Sequence, residues 1–264
     1  MRVESQSTET TGLAARSLHL LYHEVRTSES AYSYVIEGQE FARHIEVIGS
    51  MQHDDVPGVR PEVTFDDGHI SNLECALPVL KAHNVTARFF ITVGWTGKKP
   101  GFMSWEQLRS LQAAGQQMGA HGWSHTLLTH CSKAELEQEL NVARLTLEDK
   151  LGIPIETMSL PGGRCDPAVL KACREAGYST VYTSTPQAEK VPLGFTVGRL
   201  NIRGDMTSEQ LRRLLEPGSK SLASLERQHR VKAAAKRLLG DRMYERVWAA
   251  LNKKEAVNEQ GIAE

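Results

Sequence analysis

A chain of 264 residues, 40% hydrophobic and 24% charged, is long enough to bury a substantial core and too apolar to be disordered. Its formal net charge of −1 gives no footing for nucleic acid, and no run approaches the roughly 20 apolar residues of a membrane span. Four cysteines, Cys75, Cys131, Cys165 and Cys173, lack the paired spacing of a zinc knuckle and read as reduced thiols of a cytoplasmic protein.

Residues 1–16 are polar, rich in Ser and Thr, and lack the apolar centre of a secretory signal; they read as a flexible leader. Ser17 to Tyr22 is a short apolar strand with His23 at its end. Glu37 to Ser50 carries Phe41, Ile45 and Ile48 at helical spacing. In Val63-Thr64-Phe65-Asp66-Asp67-Gly68, three strand-favouring residues run into two carboxylates and a turning glycine. The pattern predicts a buried strand that presents acid groups at its C-terminal end. Side chains alternate along extended backbone, so Asp66 and Asp67 are expected to point at different spots, one toward a metal and one free to move protons. A helix over 73–83, a strand over 86–93, a helix capped by Ser104 and a strand over 117–120 follow, and His121 ends that strand.

Ser132-Lys133-Ala134-Glu135 is a capping box that opens a long helix with Leu136, Leu140, Leu147 and Leu151 on its apolar side. A strand over 155–160 leads into the turn Pro161-Gly162-Gly163, and Asp166 caps the next helix. Strands over 179–183 and 195–202 complete the set. Strands alternating with helices at this pitch predict an α/β fold with a mostly parallel sheet, closed or nearly closed into a barrel. Chemistry in that architecture gathers at the C-terminal ends of strands, where His23, Asp66, Asp67, His121 and the Pro161 turn all fall. From Thr207 the character changes to a helical extension, 207–264, whose last helix is predicted to carry Met243, Tyr244, Val247, Trp248 and Leu251 on one face. Residues 212–254 hold 12 Lys plus Arg against 4 acids. Cationic amphipathic helices of this kind suit peripheral contact with anionic lipid.

His121-Gly122-Trp123-Ser124-His125 places two imidazoles four apart, as on one side of a helical turn. Joined to Asp67 they make a two-His-one-carboxylate set that leaves room for water on a divalent ion, Zn²⁺ foremost, with Co, Ni or Fe as alternatives. Such an ion lowers the pKa of its water and polarises a carbonyl, and Asp66 stands beside it to take the proton. Trp123 suits core packing and sugar stacking alike, while His69 and His130 read as turn and cap-adjacent residues.

The Thr64-Phe65-Asp66-Asp67-Gly68 strand end, the His121/His125 pair and the Pro161-Gly162 turn together resemble the polysaccharide deacetylases, family 4 of the carbohydrate esterases. The resemblance covers roughly residues 17–206. It implies a distorted (β/α)7-type barrel followed by the helical extension, and a hydrolase that removes the N-acetyl group of an amino sugar or polysaccharide as acetate. It also implies Asp66 as general base, Asp67, His121 and His125 as metal ligands, and the Gly162 N–H as an oxyanion donor. Two departures stand out. Ser159 occupies the position where the family's third motif begins with Arg, and Arg199 on a later strand is the candidate substitute, grouped with Gly162 on the substrate side. The family's late histidine is missing, since none lies between His130 and His229. Leu21-Tyr22-His23-Glu24-Val25 and Val197-Gly198-Arg199-Leu200-Asn201-Ile202 instead resemble the circularly permuted branch typified by biofilm poly-N-acetylglucosamine deacetylases. There the first-strand histidine is the general acid, which implies that His23 protonates the leaving amine. The departures leave two other readings open: a deformylase or amidase acting on a lipid-linked sugar or small non-sugar amide, and a catalytically silent carbohydrate-binding barrel.

Overall fold

The computed structural model describes residues 16–27, 32–51 and 59–239. Residues 1–15 of the predicted leader and the predicted helix bearing Met243 to Leu251 lie outside the described residues.

The first strand, β1 (Arg16–Tyr22), is buried along nearly its whole length. A small parallel pair follows, β2 (Glu24–Arg26) and β3 (Val35–Glu37), before α1 (Gly38–Ser50). The Glu37 carboxylate caps α1 by accepting from Gln39 and Glu40, and the helix buries Phe41, Ile45 and Ile48 as their spacing predicts. After β4 (Val59–Phe65), a π-helical turn at Asn72–Ala76 runs into α2 (Leu77–Ala82). Next come β5 (Ala87–Ile91), α3 (Trp105–Ala113) behind its Ser104 cap, and β6 (Gln117–Ala120). The predicted long helix is three pieces: α4 (Lys133–Leu136) with its capping box, a π segment at Glu137–Val142, and α5 (Ala143–Leu151). The chain continues through β7 (Thr157–Ser159), α6 (Pro167–Glu175) capped by Asp166, β8 (Thr180–Tyr182) and β9 (Glu189–Lys190). It ends in β10 (Thr196–Val197), β11 (Arg199–Asn201), α7 (Ser208–Leu215) and α8 (Lys220–Leu239).

The sheet runs β10-β8-β7-β6-β5-β4-β1-β11 with every neighbour parallel, and β9 adds an antiparallel edge to β1. Its two ends are consecutive in the chain. The single strand expected over 195–202 is split at Gly198: the first half pairs with β8 and the second with β1, which brings the sheet nearly to closure. A Cβ at Gly198 would lie 2.3 Å from the Thr185 carbonyl oxygen, so only glycine lets the chain pass there.

The main core lies between sheet and helices, where Leu18, Leu20, Tyr22 and Phe65 meet Phe41, Ile45 and Ile48. A separate small cluster, Phe90, Tyr182 and Val197, includes two aromatic rings that face the Arg199 guanidinium, 5.3 Å from Phe90 and 5.9 Å from Tyr182. The helix α7 contributes Leu211, Leu214 and Leu215 to the main core. Position 206/207 is therefore no boundary in the packing, whatever the change in charge there, because the apolar face of α7 joins the helix layer beside α1. All four cysteines are free thiols, and no helix among the described residues is long and apolar enough to cross a membrane.

Candidate active site

Strand register brings the first two groups together. Tyr22 pairs with Phe65, and the Asp66 N–H donates to the Tyr22 carbonyl at 3.1 Å, so His23 and Asp66 leave the sheet side by side. The strand stops at Phe65, and Asp67 takes φ +74°. This left-handed step cancels the alternation expected of an extended chain. Both carboxylates face one imidazole, with His121 Nε2 3.7 Å from Asp66 Oδ2 and 3.4 Å from Asp67 Oδ1.

The 121–125 segment is not a helical turn, contrary to what its spacing suggests. Gly122 at φ +77° and His125 at φ +65° fold it into an irregular loop, pinned by Val93 N–H on the Gly122 carbonyl and Gly94 N–H on that of Trp123. His121 is buried, and its Nδ1 lies 2.8 Å from the Ser159 carbonyl, which orients Nε2 toward Asp67. His125 Nε2 reaches to 3.4 Å from the same Asp67 oxygen, with the Trp95 ring against its other side at 5.2 Å. Asp67 and His125 are two of the three non-glycine residues with positive φ among those described, and backbone strain of this kind concentrates at functional sites.

These three side chains fit a divalent ion. Their ligand atoms all lie within 4.8 Å of one another, and the buried Asp67 Oδ1 accepts no hydrogen bond within the protein. Nitrogen and oxygen ligands about 2.0–2.1 Å from a tetrahedral ion stand roughly 3.3 Å apart. Both Asp67–His distances are 3.4 Å. Burial pushes the Asp67 carboxyl upward in pKa, but His121 and its neighbours outweigh that and hold it below the usual carboxylate range.

Asp66 sits in a tight cradle. Arg199 Nη1 donates to Oδ1 at 2.7 Å and Nη2 to Oδ2 at 2.8 Å, while the Ser159 hydroxyl donates to Oδ2 at 2.9 Å and accepts from Arg199 Nη2 at 2.6 Å. Burial raises the Asp66 pKa; the Arg199 charge overcomes it, so the net shift is downward and the group stays ionised. Arg199 is fully buried, and its Nε donates to the Thr183 carbonyl. It is thus occupied by Asp66 and does not line the substrate side, where sequence grouped it with Gly162. Gly162 is itself exposed, at φ +63°, on the Pro161–Gly163 turn that follows β7.

His23 packs its ring against Tyr34 at 5.1 Å, and its Nδ1 is buried without a hydrogen-bond partner. Burial pulls its pKa down, and Asp67 and Asp66 partly restore it. His69 serves the turn, with Nδ1 2.9 Å from the Ser71 hydroxyl, and Trp123 is partly buried against the main core. Sequence reasoning passed over Glu139, Tyr34 and Trp95. The capping box and long apolar stripe hid Glu139 as one more polar residue of a helix, and neither aromatic belongs to a motif.

Fold and site together define a parallel β/α barrel whose strand ends carry an Asp-His-His cluster, spaced to fit a divalent ion, beside a carboxylate bound by arginine. Residues 54–181 match the profile of the family described as polysaccharide deacetylase, and this stretch is a polysaccharide deacetylase domain. The chain is similar to the peptidoglycan-N-acetylglucosamine deacetylase PgdA of Listeria monocytogenes, 33% identical over 111 residues that make up 42% of this chain and 23% of that protein. Its fold matches the Streptococcus pyogenes deacetylase PplD in complex with acetate at a TM-score of 0.69, with 18% identity over 78% of this chain and 100% of that one. IcaB from Ammonifex degensii matches at a TM-score of 0.66, with 25% identity over 75% and 96%. The chain spans under half the length of the first curated relatives it matches, 45% and 23%.

Proposed function

We propose that this protein is a metal-dependent N-deacetylase that hydrolyses the acetamide of an N-acetylated amino sugar within a glycan, releasing acetate and leaving a free amine. The observation that carries the reading is the convergence of Asp67, His121 and His125 beside an ionised, arginine-held Asp66. A divalent ion bound by those three residues, Zn²⁺ foremost, supplies Lewis acidity to the carbonyl and to the attacking water. Asp66 accepts the proton of that water at a carboxylate oxygen, and Arg199 keeps the oxygen aimed and unprotonated between turnovers. The Gly162 N–H donates to the oxyanion as the carbonyl carbon becomes tetrahedral. His23 hands a proton to the departing nitrogen. Homologous deacetylases of peptidoglycan and chitooligosaccharide support a carbohydrate substrate.

Acetate release from N-acetylglucosamine oligomers, with and without added metal, tests the reading. Asp66→Asn is expected to abolish turnover and keep metal, whereas His121→Ala loses both. Turnover confined to other amides, or glycan binding without any acetate, would reject deacetylation. The basic residues of 212–254 further support peripheral contact with anionic lipid. Salt-sensitive sedimentation of the full chain with anionic but not neutral vesicles is the expected result, and equal absence from both pellets rejects the contact.

A further inference from the structure

We infer that Glu139 is the positioning residue of the metal loop: its carboxylate holds the 121–125 segment in the one conformation that carries the His125 imidazole to Asp67. The inference rests on the metal-centred reading above.

Glu139 is only 4% exposed, an unusual place for a carboxylate. All the hydrogen bonds found to it come from the loop. Oε2 accepts the Trp123 N–H at 2.7 Å and the Ser124 N–H at 3.0 Å, and Oε1 accepts the Ser124 hydroxyl at 2.6 Å. A Cβ at Gly122 would meet Oε2 at 2.8 Å, so the carboxylate fills the concave side of the loop and glycine is required opposite it. The π segment at Glu137–Val142 makes this reach available: Glu137 and Gln138 are exposed, while Glu139 and Leu140 are buried. An inserted π turn commonly marks a functional position in an otherwise regular helix.

The two histidines differ in what steadies them. His121 leaves β6 directly and is oriented through Nδ1 by Ser159. His125 is about a third exposed, lies beyond the loop and has φ +65°. Its ring position follows from the backbone at 122–124, and Glu139 is the group that gathers those N–H donors on one point. Gln lacks the charge that strengthens these bonds, and with its single oxygen on the two N–H donors its NH₂ faces the Ser124 hydroxyl, which must reverse from donor to acceptor. Residues that orient metal ligands from behind are typically worth about 10–100-fold in metal affinity.

The test is titration of Co²⁺ or Zn²⁺ into the metal-stripped full chain, by calorimetry and by the Co²⁺ absorption spectrum, for wild type, Glu139→Gln and the exposed neighbour Glu137→Gln. Glu139→Gln is expected to weaken binding about 10–100-fold with an altered Co²⁺ spectrum while thermal melting stays cooperative, and Glu137→Gln is expected to match wild type. Wild-type affinity and spectrum in a folded Glu139→Gln protein would overturn the inference. If Glu139→Gln does not fold, Ser124→Ala decides: weakened Co²⁺ binding supports the role, and unchanged affinity and spectrum overturn it. A wild-type protein that takes up no metal, or takes it up equally in His121→Ala, counts against the metal-centred reading instead.

Discussion

Arg199 and Asp66 show how one side chain decides the character of another. Each is buried, and each would be costly alone: breaking such a pair by removing one partner typically costs about 3–5 kcal/mol. Arg199→Met is therefore expected to lower unfolding free energy by about that amount in urea titration, and to cut acetate release more than Arg199→Lys, which keeps a charge but loses the two-pronged contact. His19 adds a second residue-scale effect. Burial, then Arg199 and Arg88, lower its pKa to about 4, against 6.5 for the free side chain. The unfolded chain thus binds more protons between those values, so stability present above pH 6.5 is lost as pH falls toward 4. The loss reaches about 3 kcal/mol at most. Comparing His19→Gln with wild type by denaturant titration at pH 7 and pH 4.5 should show a flatter profile in the variant. An identical pH dependence would remove His19 from the account.

Among the elements, the interrupted last strand has the largest consequence. Gly198 stands where the chain changes partners from β8 to β1, with its N–H on Glu189 Oε1 at 2.6 Å. Gly198→Ala forces a methyl onto the Thr185 carbonyl and is expected to cost at least about 1–3 kcal/mol, read as a lower melting temperature. Gly194→Ala, whose added Cβ meets nothing closer than 4.0 Å, should melt near wild type and makes the comparison internal. The same break explains why Arg199 reaches the barrel's centre. Restarting the strand one residue later sets its side chain level with His19 and beneath Asp66.

For the whole molecule, the helix layer is incomplete without α7. Leu211 and Leu215 are fully buried, and the Ser208 N–H bond to Glu40 ties the start of α7 to α1. Leu211→Ala and Leu215→Ala are each expected to cost about 2–5 kcal/mol by leaving cavities beside α1. Melting curves unchanged by either substitution would show α7 to be an appendage. The site inherits this dependence, because the strands that present Asp66 and His23 are covered by the helices α7 supports.

Local chemistry made much of this legible from the chain alone. A capping box, an N-cap Asp and the Phe41/Ile45/Ile48 stripe depend on neighbours within a few residues, and those elements formed where expected. The alternation of strands and helices likewise specified a parallel barrel, and strand ends marked where His23, Asp66, Asp67 and His121 would stand. Other features depend on contacts between residues far apart. The left-handed turn at Asp67, the non-helical loop around His125, the π insertion that presents Glu139 and the split at Gly198 each trade a local preference for a distant contact. Arg199 meets Asp66 across 133 positions of sequence, a distance no spacing rule spans. Residue order chose the candidate groups, and closure of the barrel chose which of them touch, because backbone strain and buried charge are tolerated only where packing from several strands holds them.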